Sequence, residues 1–174
     1  MKPVMMGMIA GILLGGAVQA ATFEERPAVP APELKTQDLS GTSKTLTDYR
    51  GKVLLLNFWA SWCPPCQREM PSMERLRLKM RGRPLAVVAI DSAETREEVD
   101  AFLAKMKVGF PILLDPEGSN TKRWKVFALP TTFLLDASGR IRHVLTGPTE
   151  WDEGEALVRI EALLAELPAN DKVR

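Results

Sequence analysis

The chain has 174 residues, of which 45% are apolar and 26% charged, with a formal net charge of +1. Those values describe one globular domain that can bury its own core without a disulfide framework. No long basic run and no acidic tail is present, so the charge pattern speaks against a nucleic-acid partner.

At the N-terminus, Lys2 precedes an uncharged stretch from Val4 to Val18, and Val18-Gln19-Ala20 offers small residues at an exit. A basic start, an apolar core and a small-residue exit predict an export signal over 1–20, cleaved between Ala20 and Ala21. The alternative is an uncleaved N-terminal anchor, since a short span can still be accommodated by a bilayer. Three prolines, Pro27, Pro30 and Pro32, make 21–32 read as an extended linker. The domain proper is expected over 33–168, with a tail at 169–174.

Residues 34–46 predict two short strands around a Ser40-Gly41 turn. The nearly unbroken apolar run of 52–58 suits a central strand covered on both faces. A helix is predicted to begin just after Cys63, with Met70, Met73, Leu76 and Met80 on its buried side and Glu69, Glu74, Arg75 and Lys79 turned elsewhere. Pro71 interrupts it. A second buried strand follows at 85–90. The Thr95 to Glu98 capping pattern opens a helix to about Lys107, with Val99, Phe102, Leu103 and Met106 as its stripe. Further elements are a strand at 110–115, a short helix at 119–126, a hairpin of 131–136 and 140–146, and a last helix over about 152–166 carrying Leu157, Ile160, Leu164 and Leu167. Strands alternating with helices, then a hairpin and a closing helix, indicate an α/β sandwich with a mixed sheet.

The chemistry concentrates at Trp62-Cys63-Pro64-Pro65-Cys66, which holds the only two cysteines. The pair follows a buried strand and opens a helix, whose free N–H groups and dipole favour an anion. A thiolate at Cys63 would be stabilised there, and the thiolate is the reactive form. Pro64 and Pro65 fit the first helical positions, where a missing N–H costs little. A zinc site needs four ligands. No second cysteine pair exists, and His143, the sole histidine, alternates with Ile141 and Leu145 on one strand face, so no metal is expected. A purely structural staple remains an alternative, but so short a loop constrains the unfolded chain little.

The stretch from Val53 to Pro71 and the later Ala128-Leu129-Pro130-Thr131-Thr132-Phe133 resemble the thioredoxin superfamily. The specific likeness is to the exported TlpA/ResA/CcmG (DsbE)-type thiol–disulfide oxidoreductases, over about residues 29–167. The resemblance implies a thioredoxin-like three-layer sandwich, a mixed central sheet flanked by helices, with an N-terminal β-hairpin and a central helix–strand insertion at 92–115. It implies that Cys63 is the exposed nucleophile, Cys66 the buried resolving thiol and Pro130 a cis-proline facing the disulfide. Trp62, Pro64, Pro65, Leu129 and Thr131 would meet the substrate, and Trp59 and Trp62 would shield the site. Where thioredoxins carry a buried Asp, this chain has Asn57, which cannot carry a proton. Glu94 is the candidate relay, with Asp91 second. An acid beside a helix N-terminus is also stabilising with no catalytic duty.

The resemblance further implies a periplasmic dithiol reductant without cofactor, acting in cytochrome c maturation. Its partners would be protein thiol or disulfide substrates and a membrane electron donor of the DsbD/CcdA kind, with the chain itself a monomer. Prolines between the cysteines supply no donor to a thiolate, and a less stabilised thiolate makes a more reducing couple. A disulfide oxidase or isomerase of the same fold, and a copper-binding or redox-sensing module, are the alternatives.

Overall fold

The computed structural model describes residues 21–168. The expected signal, its cleavage site and the 169–174 tail fall outside that range. Eight strands form one mixed sheet in the order β1-β8-β7-β4-β5-β6-β2-β3. They are β1 (Thr22–Pro30), β2 (Lys35–Asp38), β3 (Ser43–Thr45), β4 (Val53–Trp59), β5 (Leu85–Ser92), β6 (Ile112–Asp115), β7 (Thr131–Leu135) and β8 (Arg140–Thr146). The helices are α1 (Pro64–Lys79), α2 (Arg96–Leu103), α3 (Ser119–Arg123) and α4 (Gly154–Ala165). No helix among the described residues is long and apolar enough to cross a membrane.

β4 lies at the centre, parallel to β5 and antiparallel to β7. All seven of its residues are buried, because both faces of the sheet are covered. Its alternate side chains divide between two cores. Val53, Leu55 and Trp59 join Met70, Met73 and Leu76 of α1 and Ile160 and Leu164 of α4. Leu54, Leu56 and Phe58 pack on the other face with Trp124 and Phe133. The three layers follow from that alternation.

α2 starts where its capping pattern places it. Thr95 Oγ1 accepts from the Glu98 N–H at 3.3 Å, and Glu98 Oε2 accepts from the Thr95 N–H at 2.8 Å. The helix ends at Leu103 rather than Lys107, and a last turn is closed by the Met106 N–H on the Phe102 carbonyl at 3.1 Å. The segment expected as a linker is extended but is not free. Residues 22–30 pair antiparallel with β8 as the edge strand β1. Its register shifts between Glu25 and Val29, around Pro27, which cannot donate to a ladder and is tolerated at an edge or a bulge.

Candidate functional site

The apolar run of β4 ends at Trp59, and Ala60-Ser61-Trp62 turn the chain into α1. Cys63 is the N-cap of α1 and Pro64 and Pro65 fill its first positions. Their fixed φ suits the start of a helix, and the donors they lack would have had no intrahelical partner. The Cys66 N–H points at Cys63 Sγ, 3.3 Å away. Cys63 and Cys66 form a disulfide with an S–S distance of 2.05 Å. The Leu129–Pro130 peptide bond is cis.

A surface pocket of about 440 Å³ opens over this disulfide. Cys63, Pro64, Pro65 and Trp62 form one wall, and Val126 to Leu129 another. Cys63 lines the pocket yet is only 4% exposed, and Cys66 is fully buried. The exposed nucleophile expected from the sequence is therefore covered in the disulfide form, because Sγ is bonded inward to Cys66 and Leu129 packs against the same cluster. Trp62 stands out, 67% exposed. Trp59 does not reach the surface; its ring packs on Phe102 at 5.1 Å in the core. Thr131 is buried, its hydroxyl donating to the Ala128 carbonyl at 2.8 Å. It lines the neighbouring cavity rather than the pocket over the disulfide.

Two buried acid sites flank the pair. The first is Glu69, which the helical pattern turned away from the core and which the structure buries at 1% exposure. It lies one turn along α1 from Cys66, at i+3, so the two share a helix face. Asn57 Nδ2 donates to Glu69 Oε1 at 2.7 Å and to Thr132 Oγ1 at 2.8 Å. Trp151 Nε1 donates to Glu69 Oε2 at 3.2 Å and the Thr149 N–H at 3.3 Å. Burial pushes the Glu69 carboxyl up to about 7, against the opposing pull of the Asn57, Trp151 and Thr149 hydrogen bonds. The signal for it was Asn57 itself. A buried amide in an apolar strand needs a polar partner, and the acid three residues beyond Cys66 is placed to supply one.

The second site joins Asp91 and Glu94. The Glu94 N–H donates to Asp91 Oδ2 at 3.1 Å. Burial raises the Asp91 carboxyl well above its usual range, and the Glu94 carboxyl beside it raises it further. Glu94 has both oxygens engaged by the loop before the disulfide: the Ser61 N–H and hydroxyl donate to it, each at 2.5 Å. Gln67 Nε2 donates to the Ser61 carbonyl at 2.5 Å, so Ser61 is gripped from both sides, two residues before Cys63. His143 is packed in β8, its Nδ1 3.3 Å from an Arg159 guanidinium nitrogen. Among the described residues no cluster of three or more His, Cys, Asp or Glu could hold a metal ion.

This arrangement can exchange a pair of electrons between its own disulfide and a thiol pair brought to the pocket. The AhpC/TSA family model matches residues 27–144. The thiol–disulfide oxidoreductase ResA of Geobacillus thermodenitrificans is 38% identical over 138 residues, covering 77% of this chain and 79% of that protein. The thioredoxin-like protein YneN of Bacillus subtilis is 44% identical over 120 residues, covering 67% of this chain and 69% of that protein. Among solved structures, one assigned to a thiol:disulfide interchange protein DsbE of Chlorobium tepidum superposes with a TM-score of 0.74 at 31% identity. The match covers 81% of this chain and 99% of that one. StoA of Bacillus subtilis gives 0.63 at 29% identity, covering 80% and 100%. The chain belongs to the AhpC/TSA family, and within it is a thioredoxin-like thiol–disulfide oxidoreductase of the ResA and DsbE kind.

Proposed function

We propose that this protein is an extracytoplasmic dithiol reductant in which Cys63 attacks, Cys66 resolves and Glu69 takes the proton from Cys66. The observation that supports it is the placing of Cys63 and Cys66 on the first turn of α1 with a buried, nearly neutral-range carboxyl one turn further on the Cys66 face. The Cys63 thiolate, favoured at the helix N-terminus, attacks a substrate disulfide. One substrate sulfur leaves as a thiolate and takes up a proton, and the other is held in a mixed disulfide. Cys66 gives its proton to Glu69, and its sulfur attacks Cys63 Sγ. The second substrate sulfur leaves as a thiolate and takes up a proton, and the Cys63–Cys66 disulfide remains. Two electrons have passed to the substrate.

Trp62, Pro64, Pro65 and the backbone at Leu129 receive the substrate segment, with Pro130 facing the sulfurs and Thr131 fixing the Ala128 side of the pocket. Glu94, with Asp91, stands as a second acid for proton exchange through the Ser61 loop. Prolines at both intervening positions give the thiolate no side-chain donor, which favours the reducing direction. Export before Ala21 would place the protein in the periplasm, free or anchored to the inner membrane. An oxidising compartment then requires a membrane electron source of the DsbD/CcdA kind to restore the dithiol. The ResA- and DsbE-type likeness supports cytochrome c maturation as the task, with the haem-binding cysteines of an apocytochrome as substrate and the reductant acting as a monomer.

The test is trapping. Cys66→Ser retains the attacking thiol and lacks the release step, so it accumulates a mixed disulfide with a disulfide-bonded substrate protein. Cys63→Ser accumulates little. Equal accumulation by the two variants contradicts the assignment of roles.

A further inference from the structure

Phe127 is an anomaly for a folded domain: the residue is 93% exposed. It lies three residues before Pro130, on the lip of the pocket opposite Trp62. The chain reaches it through Lys125 in the left-handed region, φ 54°. The Val126 N–H then donates to the Thr121 carbonyl at 3.0 Å, and the Ala128 carbonyl is held by Thr131. The ring is thus held outward by fixed backbone on both sides. An exposed large apolar group beside a functional cleft marks a contact surface.

The pocket over the disulfide has a neighbour across Phe127. Phe127 and Ala128 are also walls of a second cavity, of about 520 Å³, on the open face of β1, β8 and β7. Its floor is apolar, with Val29, Phe133, Ile141 and Val144, and its rim carries Arg123 and Lys125. The one acid on that rim, Glu24, is tied to Arg26 at 2.7 Å. Arg123 donates to the Glu33 carbonyl and Asn120 Oδ1, both at 3.5 Å, and lies near the Glu33 carboxylate, which is itself paired with Lys35 at 2.7 Å, while Lys125 makes no ion pair among the described residues. The cavity therefore offers an apolar floor and two cations, of which Lys125 has no carboxylate paired with it among the described residues, and it adjoins the pocket over the disulfide at Phe127 and Ala128.

Building on the oxidoreductase reading, we propose that this groove seats an extended segment of the substrate polypeptide carrying a bulky apolar side chain next to its reacting cysteine and an acidic residue further along. Phe127 and Trp62 clasp the apolar side chain, and Arg123 and Lys125 meet the acid. Specificity then resides in this chain's own 123–128 segment, apart from the sulfur chemistry.

The experiment measures kcat/KM of the reduced protein on four synthetic disulfide peptides, with Phe or Ser beside the cysteine and Glu or Lys further along. Wild type should prefer the Phe/Glu peptide over the Ser/Lys peptide by about tenfold or more, the discrimination an apolar pocket supplies. Phe127→Ser should bring the Phe-to-Ser ratio close to one, and Lys125→Glu should invert the Glu-to-Lys ratio. No preference in wild type overturns the proposal, as does a preference that survives both substitutions or a variant that slows all four peptides equally. The same preference must appear in the full chain and in a chain beginning at Ala21. Its loss in the full chain alone assigns the groove to residues 1–20 and contradicts the proposal. Dimerisation abolished by Phe127→Ser, with peptide ratios unchanged, assigns the face to a second copy and contradicts it equally. Failure of wild type to react even with a small aromatic disulfide defeats the oxidoreductase reading beneath it.

Discussion

In the proposed exchange, proton movement turns on Glu69. A carboxyl held near 7 by burial is half-ionised in the range where thiol exchange proceeds, the condition for an effective acid–base group. Glu69→Gln keeps the shape and one acceptor oxygen of the side chain and removes the titration. Resolution by Cys66 should slow by about 10²-fold, the lower end of a general-base contribution, and its pH dependence around neutrality should flatten. Single-turnover kinetics between pH 5 and 9 measure both. If Glu94→Gln flattens the profile and Glu69→Gln does not, the proton passes through the Ser61 loop instead. This residue was hard to read from the sequence. Glu69 stands beside Met70 on the helix, and a strict apolar stripe assigns it to solvent. Its partners, Asn57 on β4 beneath the helix and Thr149 and Trp151 some eighty positions later, enclose it. The cysteines, by contrast, were legible because their chemistry depends on local order: strand, turn, helix N-terminus.

At the scale of elements, local patterns held where local physics decides. The Thr95 to Glu98 box opens α2 as its residue types require. Thr95→Ala should cost about 1 kcal/mol of stability, read from denaturant midpoints, with the disulfide chemistry unchanged. The two alternating sets of β4 side chains were likewise visible as an apolar run broken only by Asn57, the kind of run a strand covered on both faces sustains. β1 was not visible. Pro27 and Pro30 remove donors, and nothing within residues 22–30 announces β8 as a partner. That pairing spans more than a hundred residues of sequence and is decided by the sheet edge being free. α2 stops at Leu103, short of the Lys107 that its apolar stripe through Met106 suggested, and the residues that follow are closed by a single turn rather than by further helix.

For the whole molecule, the buried acids couple folding to pH. In the folded protein Glu69 ionises near 7, against an ordinary 4.5. The folded state therefore holds its proton where the unfolded chain has lost it. The resulting stability is complete below about 4.5, declines as pH rises, and is gone above about 7, a change of at most about 3 kcal/mol. Asp91 is raised in the same direction. Thermal unfolding of the oxidised protein should accordingly give a midpoint that falls between pH 5 and 7.5, and Glu69→Gln should make that fall shallower. A midpoint rising over this range contradicts the burial of a protonated carboxyl. The mixed sheet and three layers were legible from the alternation of strands and helices, while the strand order rests on pairings that no local pattern encodes.

The central claim is that the Cys63–Cys66 couple delivers electrons. Equilibrium titration of that couple against glutathione or dithiothreitol at pH 7, followed by the change in tryptophan emission or by thiol alkylation, measures it directly. A couple that delivers electrons should show a potential of about −270 mV or lower, in the range of thioredoxin. A value near −120 mV, that of a strong oxidant, would make the protein a donor of disulfides and contradict the account.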